Sequence, residues 1–202
     1  MAKNDDTRRG IEDRDIRRTL ECKSSSALAR FLLQGVKRDK TFRRKVLAWL
    51  IQADAEALPQ EAVLGEVGTW IDEVFNQTGR MPRTPNLRAL NPVKSAVKGH
   101  PNLAVPISLE IVGQIAEFLD AYGGGPASFY DTLRRHFREA AVHLPAMTDV
   151  AQRETHLRRM MEFSRKCSDF GYGLDRETAK VLNDLRTRLA GSDAAIGGSR
   201  PR

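Results

Sequence analysis

Apolar residues recur along this chain at spacings of three and four, the period of an amphipathic helix, and strict alternation is nearly absent. Ser24, Ser25 and Ser26 are candidate N-caps for a helix through Arg38 whose apolar face is Leu28, Phe31, Leu32 and Val36. A second helix carries Phe42, Val46, Trp49 and Leu50 on one face. Pro59 suits the first turn of a third, which runs to about Gln77 with Val63, Val67, Trp70, Ile71 and Val74 inward. Gly79 ends it.

From 79 to 107 five prolines interrupt the pattern (Pro82, Pro85, Pro92, Pro101 and Pro106), leaving room for short helical pieces at Asn86–Leu90 and Pro92–Lys98. The run NLAVPI is short enough to be extended, although Pro106 argues against a central strand. Ser108 is the expected cap of the next helix, with Ile111, Val112, Ile115, Phe118 and Leu119 inward. Gly123, Gly124, Gly125 and Pro126 separate it from a helix carrying Phe129, Leu133, Phe137 and Ala140. A long helix from about Asp149 to Asp169 follows, stopped by Gly171 and Gly173. Asp175 is expected to cap the last helix, with Leu182, Leu185 and Leu189 inward.

This pattern predicts an all-α bundle of seven to eight helices joined by short loops. Five stretches follow from it: a charged N-terminal segment (1–23), an N-terminal helical lobe (24–78), a basic Pro-rich connector (79–107), a C-terminal helical bundle (108–190) and a flexible tail (191–202). The connector is the candidate divide between two lobes.

Charge changes the picture more than length does. Among 202 residues, 33 are Lys or Arg and 26 are Asp or Glu, giving a formal net charge of +7. Arginine supplies 24 of the cations, and its planar fork binds phosphate better than an ammonium does. This balance favours anionic partners such as nucleic acid. No run approaches the roughly 18 apolar residues of a membrane span, and the charged start leads into no signal-like apolar region. A cytoplasmic protein with reduced cysteines is expected.

Four segments look basic, and they differ in compensation. In the long helix Glu162 lies three or four residues from Arg158, Arg159, Arg165 and Lys166, and Asp131 and Glu139 flank Arg134, Arg135 and Arg138 in the same way. Both read as solvated ion-pair faces. Residues 37–45, in contrast, set Lys37, Arg38, Lys40, Arg43, Arg44 and Lys45 against Asp39 alone. Cations in a first helical turn oppose the macrodipole by roughly 0.3–1 kcal/mol each. Residues 80–100 hold Arg80, Arg83, Arg88, Lys94 and Lys98 with no acidic residue. Lys37, Lys40, Arg43, Arg44, Lys45, Arg80, Arg83, Arg88, Lys94 and Lys98 are therefore the candidate nucleic-acid-binding residues. Between the two segments lies an acidic stretch with Asp54, Glu56, Glu61, Glu66, Asp72 and Glu73, which could neutralise either one or dock a neighbouring subunit.

Candidate chemistry is sparse. His136 and His143 are two turns apart, too far for i,i+4 chelation, so neither a metal nor another cofactor is expected. Cys167 sits at a core-spaced position, and Cys22 has no histidine near it in sequence. The triple glycine lacks the lysine and spacing of a P-loop and reads as a hinge. No constellation supports an enzyme. The sequence predicts a non-catalytic helical protein that binds DNA or RNA through phosphates within an assembly. The alternative is an adaptor docking through complementary acidic and basic helix faces.

Overall fold

The computed structural model describes residues 13–76 and 87–197, and every helix predicted within them is present. Nine α-helices and four single 3-10 turns account for nearly all of these residues, with no strand among them. The fold is all-α. Contacts divide the chain into two compact units, one ending at Val46 and one beginning at Leu47.

The first unit holds α1 (Asp13–Glu21), α2 (Ser25–Arg38) and the start of α3 (Lys40–Asp54). Ser24 caps α2 as expected, its Oγ accepting from the Ala27 N–H at 3.3 Å. Asp39 leaves helical geometry, and its carboxylate accepts from the N–H groups of Thr41 and Phe42 at 2.7 and 3.1 Å. The helix therefore restarts at Lys40 with one carboxylate at its positive end, offsetting the cations of that turn. A Cβ on Gly35 would lie 2.7 Å from the Phe42 ring, so this glycine permits the close approach of α2 and α3.

Two expectations fail here. The apolar face of α2 is not buried: Phe31 is 64% exposed, Leu33 59%, and no α2 residue is buried. Trp49, expected inward, is 59% exposed, and Ala48 and Ile51 take the core positions of α3. Of the predicted face of α2, Leu28 and Val36 are half-buried while Phe31 and Leu32 stay exposed.

The second unit is organised by α6 (Pro101–Ala121), which packs along α4 (Gln60–Asn76) and α7 (Ala127–His143). Against α7 lies α9 (Leu174–Gly197), which also packs on α8 (Val150–Lys166). Phe118 and Phe129 stack at 4.7 Å between ring centroids where α6 meets α7. Twelve α6 residues are buried, so the helix is apolar nearly all round. By length and composition it could cross a membrane, contrary to the impression from single apolar runs. In the bundle, 67% of its most apolar stretch is buried, the position of a core helix.

Neither Pro106 nor Ser108 bounds α6, as the sequence had suggested. Pro101 occupies the first turn, the helix runs through Pro106, and Ser108 is buried inside it. Pro106 has no N–H for the Asn102 carbonyl four residues back. Gln60 Nε2 donates to that oxygen at 2.8 Å instead. At the other end, Gly123 (φ +65°) and Gly124 (φ +127°) close a Schellman cap. Their N–H groups donate to Asp120 at 3.2 Å and Leu119 at 2.7 Å. The glycine run is a helix stop. Most of the stretch expected from 191 as a flexible tail is helical, because α9 continues to Gly197; residues 198–202 lie outside the described residues.

Candidate anion-binding cleft

Between α4 and α6 the chain makes a 3-10 turn (Leu87–Leu90), α5 (Asn91–Ala96) and a second 3-10 turn (Val97–Gly99). Pro92 fits the first turn of α5, whose free N–H positions need no proline donor. Leu87, Leu90, Val93, Ala96 and Val97 are buried, which anchors the connector to the bundle. With that face committed, Arg88, Lys94 and Lys98 are left to line a cleft of about 530 Å³. Its opposite wall is α7, from which Arg135, Glu139 and His143 contribute at spacings of four. Ala104, Ile107 and Ser108 of α6 also line it.

Four cations thus meet one carboxylate among the residues lining the cleft. Against its wall is a row of three close polar side chains. Lys94 Nζ lies 3.1 Å from His136 Nε2, and His136 Nδ1 lies 2.7 Å from Glu139 Oε2. The direct Lys94–Glu139 separation is 4.0 Å. With Lys94 as an ammonium, which only donates, Nε2 is the acceptor and the ring proton falls on Nδ1, on the carboxylate side.

The His136 side chain is wholly buried, and the Lys94 side chain is 21% exposed. Burial lowers the pKa of Lys94 below its ordinary value, with Arg135 and Lys98 adding to the effect against the pull of Glu139. Burial also lowers that of His136, assisted by Lys94 and Arg135 and opposed by Glu139. For Glu139, burial pushes upward, but the His136 hydrogen bond and the charges of His136, Lys94 and Arg135 together hold it below its usual range.

The neighbouring arginines of α7 behave otherwise. Arg134 pairs with Asp131 at 3.0 Å and with Glu177 of α9, and Arg138 reaches Glu177 at 3.6 Å. The Asp131–Arg134 pair is one the sequence suggested, whereas Glu177 is a partner from a distant helix, and in α8 Arg159 pairs with Glu110 of α6 at 3.3 Å. Arg135 departs from that reading by turning into the cleft.

Of the residues proposed from sequence, Arg88, Lys94 and Lys98 come together. Lys37, Lys40, Arg43, Arg44 and Lys45 belong to the first unit, where Arg43 and Lys45 are exposed and Arg44 is half-buried. Arg80 and Arg83 lie outside the described residues. Arg135, His136, Glu139 and His143 were missed. For Arg135, Glu139 and His143 the signal was the 135–139–143 stripe, hidden because Glu139 looked like an ordinary surface partner for Arg135. Among the described residues, no group of three His, Cys, Asp or Glu is placed to hold a metal. Of the three tyrosines, Tyr122 and Tyr172 are exposed, while Tyr130 is buried and stacked on Tyr172 at 4.2 Å.

Comparison with known proteins returns no match: no family model, no curated protein and no solved structure. The functional reading rests on the geometry.

Proposed function

We propose that the protein is a cytoplasmic nucleic-acid-binding protein that holds phosphates in the cleft between the connector and α7. One observation carries this reading: two segments about 40 residues apart in sequence place Arg88, Lys94, Lys98 and Arg135 around a single cavity. The volume falls within the range of small-ligand sites, so it suits one or two nucleotide units rather than a duplex groove. Phosphate contacts give affinity and register without base readout.

The test is fluorescence anisotropy with a labelled single strand across a salt series. Each phosphate neutralised contributes roughly 0.7 to the log–log slope for a single strand. A steep, sequence-independent slope supports the reading, and flat affinity between low and high salt contradicts it.

A second reading is favoured by the bare apolar side chains of the first unit. Ile16, Leu20, Phe31 and Leu33 are exposed beside eleven basic and four acidic residues in 13–46. On this reading the unit docks on a second copy of the chain, whose acidic α4 complements it. Light scattering of nuclease-treated protein tests this: mass that rises with concentration supports self-assembly, and a constant monomer mass contradicts it.

A further inference from the structure

We propose that Lys94 is an amine nucleophile that condenses with the aldehyde of a phosphate-bearing substrate, with His136 as its base and Glu139 orienting that base. The inference rests on the anion-binding reading of the cleft and adds chemistry to it.

The side chains form a nucleophile–base–orienter row, the arrangement that activates a side chain otherwise protonated at neutral pH. Nucleophile and base are 3.1 Å apart, base and carboxylate 2.7 Å. A simple ion pair would bring ammonium and carboxylate together. Here Lys94 and Glu139 pair only at 4.0 Å, and the imidazole lies nearer to Lys94 Nζ, at 3.1 Å. His136 is sealed from solvent while Lys94 still lines the cleft, which places the base behind the nucleophile and the open space in front. Arg135 and Lys98 disfavour the ammonium form electrostatically and supply cations for a phosphate on the incoming molecule.

An amine paired with phosphate-binding cations matches a phosphorylated aldehyde, because imine formation is the covalent step characteristic of lysine. Neutral Lys94 Nζ attacks the carbonyl carbon, and the C=O π pair moves to oxygen, which takes up a proton from solvent in the open cleft, so that the final product is the protonated imine. His136 Nε2 accepts the proton released from nitrogen, giving an imidazolium that faces Glu139. It returns that proton to the carbinolamine hydroxyl, which leaves as water while the C=N bond forms. One water is released and no oxidant or reductant is needed.

Two sources offer this chemistry: an abasic deoxyribose within a strand, and a free sugar phosphate. The experiment incubates the full chain with either an abasic-site oligonucleotide or deoxyribose 5-phosphate, adds borohydride, and maps adducts by mass spectrometry. Anisotropy with an intact oligonucleotide runs in parallel.

The expected result is an adduct on Lys94 forming at least about tenfold faster at neutral pH than on Lys98 of the same cleft or exposed Lys166, and absent in Lys94→Arg. Trapping by the oligonucleotide alone assigns the strand as source, and trapping by the sugar phosphate assigns the free compound. Glu139→Gln should lower the limiting trapping rate yet move the pH midpoint down, since the carboxylate that favours the ammonium is gone. A purely structural Glu139 would not give that pair of changes. Lys94 reacting no faster than Lys98 with both probes overturns the inference, even if the intact strand binds. Loss of intact-strand binding with Lys94 still trapped by the sugar phosphate sustains the inference and overturns the nucleic-acid reading.

Discussion

Gln60 donates its side-chain amide to the carbonyl of Asn102 at 2.8 Å, taking the place of the N–H that Pro106 lacks. A partner from α4 thus makes the proline tolerable within α6, and α6 supplies part of the cleft lining. Asn102 in turn exchanges hydrogen bonds with Thr148, donating to its Oγ1 at 3.0 Å and accepting from its N–H at 3.3 Å. One end of the central helix is fixed from two directions.

Gln60→Ala leaves that carbonyl without its side-chain donor in a half-buried setting. Such an orphaned group costs about 1–3 kcal/mol. Thermal denaturation should show a midpoint several degrees below wild type, with helical content unchanged before the transition. An unchanged midpoint would mean that water replaces the amide.

The two tryptophans should separate in fluorescence. Trp49 is 59% exposed and Trp70 is buried. Emission of Trp70→Phe, which retains Trp49, should be red-shifted and readily quenched by iodide. The reciprocal Trp49→Phe should be blue-shifted and resistant. Equal quenching of both would contradict the placement of α3.

The cysteines should differ in the same manner. Burial pushes the Cys167 thiol up to about 11, Asp175 adds to this, and a Thr178 hydrogen bond only partly opposes it. Cys22 is exposed. A disulfide reagent should therefore label Cys22 rapidly in the native protein and reach Cys167 only on unfolding, because the thiolate is the reactive form.

Much of the fold was legible because long helices announce themselves by spacing alone. Failures came where a distant partner decides. Pro106 reads as a breaker until Gln60, over forty residues upstream, supplies the missing donor. Phe31 and Trp49 keep helical spacing, but among the described residues both side chains stay largely exposed. At the cleft, Arg88, Lys94 and Lys98 stood out for lack of local counter-charge. Arg135 and His136 did not, since their role depends on α7 facing the connector, a relationship that lies in tertiary packing.

Stability should fall on mild acidification. Folding holds His136 and His156 below their ordinary pKa of about 6.5, in both cases first through burial. Below that value the unfolded chain binds more protons than the folded one, so stability declines as pH drops. Glu139, also held low, adds a further loss below its ordinary range as it protonates. Denaturant midpoints between pH 7.5 and 5 should decline, and His136→Gln should show a shallower slope. A midpoint that rises on acidification would contradict the buried, neutral imidazole.

The sharpest test compares two variants with the same change in net charge. Arg88→Gln/Lys98→Gln/Arg135→Gln removes three cleft cations, whereas Arg158→Gln/Arg165→Gln/Lys166→Gln removes three from α8, away from the residues that line the cleft. Salt-dependent anisotropy with one labelled single strand should show the cleft variant binding more weakly, its slope shallower by about 2. The α8 variant should stay close to wild type. Equal weakening of both would show that diffuse surface charge, and not this cleft, holds the strand.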